Sequence, residues 1–354
     1  MTAVTAIVSG REVRPGERTR IDIPLPNLYT QTPVSMPMHV VHGRRPGPRL
    51  FVTAALHGDE INGVEIIRRL LQHHALDHLH GTLLAVPVVN VYGYIRQSRY
   101  LPDRRDLNRS FPGSDRGSLT ARLAAILLNE VVAGSTHGVD LHTAALHREN
   151  LPQVRASLSS CDAMPALARA FGAPVILDAD LRPGSLRATA AERGIPVLVY
   201  EAGEALRFDE FAVRAGLRGL LGVLRHLGMI RGKIGGRAGR RASSRGPVVA
   251  RSTLWVRAPQ SGVLLSTTPL GAHVNAGDTL GILVDPLRNV DEPVIAPVGG
   301  IVIGRTNLPL VTEGEALYHL ARFGEPEAAA ALVQQYRDEL DPDETEDSED
   351  LVII

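Results

Sequence analysis

The chain has 354 residues, with 38 basic and 38 acidic side chains and therefore no formal net charge at pH 7. This length corresponds to one large domain or to two unequal ones. The balanced charge excludes a nucleic-acid-binding protein that is held by bulk electrostatics. The single cysteine, Cys161, excludes an internal disulfide framework and a multi-cysteine zinc site.

No membrane or secretion signal is visible in this sequence. No apolar run reaches the roughly 18 residues that a membrane-spanning helix needs. The N-terminus has no basic segment followed by a long apolar stretch. We therefore expect a cytoplasmic protein with neither a nucleic-acid nor a membrane partner.

Strand-like apolar runs alternate with helical patterns through the first 230 residues. The strands are predicted at Met38–Val41, Leu50–Leu56, Leu83–Val91, Val139–Thr143, Val175–Leu177 and Pro196–Glu201. The helices are predicted at Asp59–His74, Leu119–Val132, Met164–Phe171 and Glu210–Leu227. Residues 144–157 are expected to form a loop that could serve as a specificity wall, although the sequence does not place it. This alternation is typical of an α/β domain with a mixed sheet, in which sites gather at strand ends.

The rest of the chain changes character. Residues 231–250 are rich in Gly, Ser and Arg and are predicted to be a linker after a catalytic domain at 1–230. Residues 251–323 contain short β-type runs that resemble the barrel-sandwich modules of biotinyl and lipoyl carriers. A carrier arm needs a lysine, and the only lysine, Lys233, lies in the linker, so a structural or lid-like module is favoured. Residues 324–354 are predicted to be helical at first and then an acidic, disordered tail.

The segment His57-Gly58-Asp59-Glu60 follows an apolar strand and opens a helix. Because His57 and Glu60 are three residues apart, both can point at one spot from this turn. An imidazole nitrogen and a carboxylate oxygen can each approach Zn²⁺ at about 2.0–2.2 Å. The same spacing also suits a helix start capped by Asp59, so the pattern gains weight only with a third ligand.

A third ligand is available at the end of the predicted strand 139–143. His142 can bind a metal through one ring nitrogen, and Asp140 points to the same side of the strand. Asp140 can then orient a ligand by hydrogen bonding. Three protein ligands leave a fourth position for water, which is the pattern of a catalytic zinc.

Two further segments carry groups that could act on a substrate. Asn108 and Arg109 precede a Phe-Pro-Gly turn, and the guanidinium fork binds carboxylates bidentately. Arg99 could polarise a carbonyl oxygen that gains charge. Glu201 ends an apolar strand, where a carboxylate is costly unless it is used, and it could accept a proton from water. Glu204 is a weaker candidate for the same role.

Together, the HGDE motif, the DLNRSFPG motif at 106–113, the DLH motif at 140–142 and the late strand-ending Glu resemble the succinylglutamate desuccinylase/aspartoacylase family, which is related to zinc carboxypeptidases. The resemblance covers about Leu50–Leu227, and the β-rich C-terminal part is also similar. It implies a zinc carboxypeptidase-like mixed sheet flanked by helices, followed by a smaller all-β domain similar to a barrel-sandwich. It also implies one zinc ion, bound by His57, Glu60 and His142.

The resemblance further implies a role for each remaining site residue. Glu201 would be the general base and acid, and Asn108 and Arg109 would hold a substrate carboxylate. Arg99 matches the arginine that polarises the scissile carbonyl. Its spacer to the DLNR motif is longer than in the family, so Arg104 or Arg105 could be the true counterpart.

The expected reaction is hydrolysis of the amide bond of a small N-acylated amino acid or related amine. The Asp59-Glu60 pair differs from the Asn-Glu pair that is common in the family. The acyl group of the family's known substrates therefore cannot be assigned to this chain. Two alternatives stay open: a metallocarboxypeptidase that trims peptides, and a non-catalytic family member. Whether the chain forms a homo-oligomer is also left open.

Overall fold

The computed structural model describes residues 4–231, 247–250, 252–285, 287 and 290–340. Its strands are β1 (Ala6–Val8), β2 (Arg11–Val13), β3 (Arg18–Leu25), β4 (Val34–His42), β5 (Arg45–Ala54), β6 (His80–Val86), β7 (His137–His142), β8 (Arg148–Ala156), β9 (Val175–Asp178), β10 (Val197–Gly203), β11 (Val248–Ala250), β12 (Ser252–Arg257), β13 (Gly262–Ser266), β14 (His273–Val274), β15 (Thr279–Asp285), β16 (Val290–Ile295), β17 (Gly300–Thr306), β18 (Leu310–Val311) and β19 (Ala316–Arg322). Its α-helices are α1 (Asn62–Gln72), α2 (Val91–Ile95), α3 (Leu119–Leu127), α4 (Met164–Phe171), α5 (Leu186–Glu192), α6 (Glu210–His226) and α7 (Pro326–Leu340).

A large mixed sheet forms the centre of the molecule. Its main path has the strand order β12-β19-β17-β8-β10-β7-β5-β6-β4-β3. The four neighbours β10, β7, β5 and β6 run parallel, whereas β8 and β4 on either side run antiparallel to them. Because parallel strands end at the same edge, the residues that follow β5, β7 and β10 come together there.

Helices cover both faces of this sheet. Successive apolar side chains of β5 point to opposite faces, so this strand contributes to both cores. Leu50 and Val52 pack into one core with residues of α1, α4 and α6. Phe51 packs into the opposite core with residues of α3 and α5. The prediction of a mixed α/β fold flanked by helices is thus confirmed.

The C-terminal strands form two antiparallel groups. One group, β12, β19 and β17, extends the main sheet through the pairing of β17 with β8. The other is a four-stranded sheet in the order β16-β15-β13-β18. Both groups contribute to one apolar core, which includes Leu264 and Leu283 of the four-stranded sheet and Leu320 of β19. The β-rich C-terminal part is therefore confirmed. The domain boundaries stay a prediction, and most of the predicted linker (232–246) and the acidic tail (341–354) lie outside the described residues.

The predicted elements differ in how well they match. Helix α4 has the predicted bounds Met164–Phe171, and its Leu167 and Phe171 are buried against the sheet. The predicted loop at 144–157 is wrong, because Arg148–Ala156 forms β8, a strand between β10 and β17. This strand is difficult to recognise in the sequence because its apolar run is interrupted by Pro152 and by the polar residues Gln153 and Arg155.

In the part of the chain that the structure describes, none of the helices combines the length and the apolar character needed to cross a bilayer.

Candidate metal centre

The three predicted metal ligands lie at the carboxyl edge of the parallel strands. His57 follows β5, and Glu60 stands just before α1. His142 is the last residue of β7, whose Leu141 pairs with Ala54 of β5. Neighbouring strand ends therefore bring His142 to the turn that carries the other two residues.

The ligand atoms converge on one buried point. The Nδ1 atom of His57 lies 2.7 Å from Oε1 of Glu60, and the Nδ1 atom of His142 lies 2.7 Å from Oε2 of the same carboxylate. One donor atom from each residue lies within 4.8 Å of the other two, and all three residues are buried. Two imidazole nitrogens and a carboxylate at this separation fit a divalent metal ion.

The outer nitrogen of each imidazole faces a carboxylate. His57 Nε2 lies 3.1 Å from Oδ1 of Asp106, and His142 Nε2 lies 2.7 Å from Oδ2 of Asp140. Asp140 is held in turn by Thr53, whose hydroxyl donates to Oδ1 at 2.7 Å. Such carboxylates fix the tautomer that presents Nδ1 to a metal. The structure therefore brings Asp140 to the predicted position.

Electrostatics in this pocket favour a cation beside Glu60. Burial by itself lowers the pKa of His142, but the charges of Asp140 and Glu60 outweigh burial and raise this pKa well above its ordinary value. The pKa of His57 is raised in the same way, with burial opposed by Glu60 and Asp106. Burial would raise the pKa of Glu60, yet the two imidazoles hold it below its usual range. A divalent ion satisfies the same preference for positive charge.

Arg99 is the arginine that reaches this group. Its guanidinium donates to Oε1 of Glu60 at 3.2 Å and to Oδ2 of Asp106 at 3.0 Å. Arg104 and Arg105, the other two candidates, are exposed. Among the three, only Arg99 has a hydrogen bond to Glu60 in the described structure.

Asn108 and Arg109 lie in the short helical turn Leu107–Arg109, which follows Asp106. The Oδ1 atom of Asn108 accepts from the backbone N–H of Leu186 at the start of α5, at 3.0 Å. Arg109 is exposed and donates to the carbonyl oxygen of Asn108 at 2.6 Å. No hydrogen bond in the described structure joins either side chain to His57 or Glu60.

Glu201 lies on the strand next to His142. The two residues are cross-strand partners in the parallel pair β7 and β10, so their side chains share one face of the sheet. Oε2 of Glu201 accepts from Nδ2 of Asn150 at 2.9 Å and pairs with the Arg155 guanidinium at 3.0 Å. Within the described residues, Oε1 has no hydrogen-bond partner. Glu204, in contrast, accepts from the backbone N–H of His147 at 3.0 Å.

Sequence reasoning missed four residues of this site: Thr53, Asp106, Asn150 and Arg155. Asp106 is the first residue of the DLNR motif, so its carboxylate could have been identified as a site residue from the sequence. The other three depend on strand pairing and carried no local signal.

Comparison with known proteins places this geometry in context. A family model for the succinylglutamate desuccinylase/aspartoacylase catalytic domain matches residues 46–227. A curated relative, N-alpha-acetyl-L-2,4-diaminobutyric acid deacetylase of Halomonas elongata, is 27% identical over 311 residues, which is 82% of this chain and 87% of that protein.

Solved structures show the same fold over most of the chain. A succinylglutamate desuccinylase/aspartoacylase from Rhodobacter sphaeroides has a TM-score of 0.77 and 27% identity, and the match covers 88% of this chain and 97% of that one. The product-bound ectoine utilization protein EutE (DoeB) from Ruegeria pomeroyi has a TM-score of 0.76 and 25% identity, with coverage of 87% and 96%.

Proposed function

The chain belongs to the succinylglutamate desuccinylase/aspartoacylase family, and from that premise we propose that it is a zinc-dependent deacylase. It hydrolyses the amide bond of a small N-acylated amino acid or related amine. The observation that carries the proposal is the buried group of His57, Glu60 and His142. The name of the Halomonas elongata relative, a deacetylase of an N-acetylated diamino acid, supports this substrate class.

His57 and His142 would hold the zinc ion through their Nδ1 atoms, with the Glu60 carboxylate as the third ligand. Nitrogen and oxygen donors of this kind suit zinc. A zinc ion held there supplies a water molecule whose pKa is lowered from 15.7 to about 7, together with Lewis-acid polarisation of a carbonyl. Asp106 and Asp140 keep the two imidazoles oriented for this task.

Glu201 moves the proton in the reaction. Its Oε1 atom accepts a proton from the attacking water as the new C–O bond forms. The same carboxyl group then gives that proton to the amine nitrogen as the C–N bond breaks. The products are a carboxylic acid and a free amine, and Glu201 returns to its starting state.

Arg99, Asn108 and Arg109 act on the substrate. The Arg99 guanidinium, already beside Glu60, donates to the acyl oxygen as negative charge develops there. Asn108 and Arg109 bind a carboxylate on the amine half of the substrate. The exposed guanidinium of Arg109 can do so by changing rotamer and leaving the carbonyl oxygen of Asn108. Binding at a distance from the scissile bond orients the amide for attack.

A substrate screen tests the proposal directly. Purified protein would be incubated with N-acetyl, N-succinyl and N-formyl amino acids and diamines, including N-alpha-acetyl-2,4-diaminobutyrate. We expect release of a free amine that stops with a chelator and returns with zinc, and about one zinc ion per chain. Trimming of peptide C-termini without deacylation would support a carboxypeptidase instead. Absence of both metal and activity would support a non-catalytic family member.

The variant Glu201→Gln separates proton transfer from metal binding. It should keep its zinc, because Glu201 is not a proposed ligand, and should lose about 10²–10⁴-fold in kcat because an amide cannot accept the proton. The matched control is Glu204→Gln, three residues on, which should change kcat little. Near-full activity of zinc-loaded Glu201→Gln would overturn the assigned base.

A further inference from the structure

The carboxylate of Glu201 is held on one side only. Asn150 and Arg155 both contact Oε2, at 2.9 and 3.0 Å, and both belong to β8. Oε1 is free among the described residues. Two donors on one oxygen fix the plane of the carboxylate and so aim Oε1, the atom that exchanges a proton in the proposed reaction.

Asn150 owes its position to a strand that lies far away in the sequence. It is the cross-strand partner of Gly304 in β17, one of the C-terminal strands. A Cβ atom at residue 304 would lie only 2.8 Å from Oδ1 of Asn150 and 3.3 Å from Cβ of His319. The Asn150 side chain therefore lies in space that exists because residue 304 has no side chain.

The surroundings leave Asn150 little freedom. Asn150 is 7% exposed and His319 is 4% exposed. His319 stacks on Trp255 with ring centroids 4.4 Å apart. The Arg148 guanidinium lies over the Trp255 ring, 5.3 Å from its centroid. A side chain at residue 304 that displaces the Asn150 amide would therefore change its position relative to Glu201, because there is no open space for the amide to move into.

We propose that Gly304 and Asn150 are positioning residues for the Glu201 carboxylate, so that the C-terminal strands set the geometry of the proton-transfer group. This inference rests on the proposed function, and it gives the C-terminal β-rich part a role in the site itself. The position of Glu201 in β10 depends on Asn150 in β8, and the position of Asn150 depends on Gly304 in β17.

A double-mutant cycle tests the order. Asn150→Ala should lower kcat about 10- to 100-fold with little change in KM, because a hydrogen bond to a charged group is lost. Gly304→Ala should lower kcat in the same direction through displacement of Asn150. In the Asn150→Ala background the added methyl group should have almost no further effect on kcat, since the side chain that it displaces is absent.

A nearby glycine provides the matched control. Gly299 immediately precedes β17, and a Cβ atom there would come no closer than 3.4 Å to a neighbour. Gly299→Ala should match the wild type in kcat and KM. Zinc content and urea unfolding are measured for every variant, so that loss of the metal or of the fold is separated from loss of positioning.

The outcomes separate the two proposals. An active wild type with normal kcat in Asn150→Ala or Gly304→Ala, or with fully additive effects in the double variant, would overturn the positioning role alone. A misfolded Gly304→Ala leaves Asn150→Ala and its split between kcat and KM to decide. A zinc-loaded wild type without activity on any N-acyl substrate would overturn the proposed function and this inference with it.

Discussion

A methyl group added at Gly63 would test how closely helix α1 must approach the sheet to place Glu60. A Cβ atom at this position would lie 2.7 Å from Cβ of Ala54 in β5 and 2.8 Å from Cβ of Leu141 in β7. Both neighbours are attached directly to the backbone of central strands. They cannot rotate away, so the start of α1 must move.

The size of the effect follows from two opposing contributions. Alanine is favoured over glycine in a helix interior by about 1 kcal/mol, and by less in the first turn, where Gly63 lies. Overpacking a buried contact costs about 1–3 kcal/mol. We therefore expect Gly63→Ala to lower the free energy of unfolding by about 1–2 kcal/mol. Because the shift separates Glu60 from His142, the affinity for the proposed zinc ion should fall about 10-fold or more, as expected when support around metal ligands is lost.

Urea unfolding and competitive zinc titration would measure both quantities. Gln72→Ala, at the exposed end of the same helix, is the control and should change stability by no more than about 0.5 kcal/mol. Adding Ala54→Gly to Gly63→Ala removes one of the two close contacts and should restore part of the zinc affinity. A Gly63→Ala variant with wild-type stability and wild-type affinity would refute the argument that residue 63 sets the helix-to-sheet distance.

Two other changes probe single charged groups. Arg99→Gln should lower kcat about 10²–10³-fold in a deacylase assay, because it removes a donor to the developing oxyanion; unchanged kcat with bound zinc would exclude that role. Glu65→Gln should destabilise the fold by about 1–2 kcal/mol at pH 7, since Glu65 accepts from Arg68 and Arg69. Those arginines, against partial burial, lower the pKa of Glu65 from 4.5 to about 2. The stability difference should persist above pH 4.5 and vanish as the pH falls toward 2, whereas a constant difference in unfolding experiments would contradict this origin.

Periodicity and local motifs were sufficient for much of the fold and for the group of His57, Glu60 and His142, which could hold a metal ion. The apolar spacing in Met164–Phe171 predicts α4 because one face of that helix is buried, and the burial is visible in the order of residues. His57 and Glu60 are close in sequence, and His142 ends a recognisable apolar strand. Their convergence follows from the rule that parallel strands end at one edge.

The residues that sequence reasoning missed all depend on pairing between distant strands. Nothing in the sequence around Arg155 indicates that β8 lies next to β10, because strand order is set by the whole sheet. Asn150 meets Glu201 only because β8 and β10 pair, and it meets Gly304 only because β17 pairs with β8. Such contacts are non-local, so no window along the chain contains them.

This pairing also joins the strands that carry the candidate site to the C-terminal strands. The buried side chain of Leu151 in β8 belongs to one apolar cluster with Ile301 and Ile303 of β17. Without β17, the backbone of residues 148–150 in β8 would lose its pairing partners, and Leu151 would lose its apolar neighbours Ile301 and Ile303. The proposed metal ligands lie at the ends of β5 and β7 and are not members of this cluster. The C-terminal strands therefore bear on Glu201 and its oxygen atoms more directly than on the metal group.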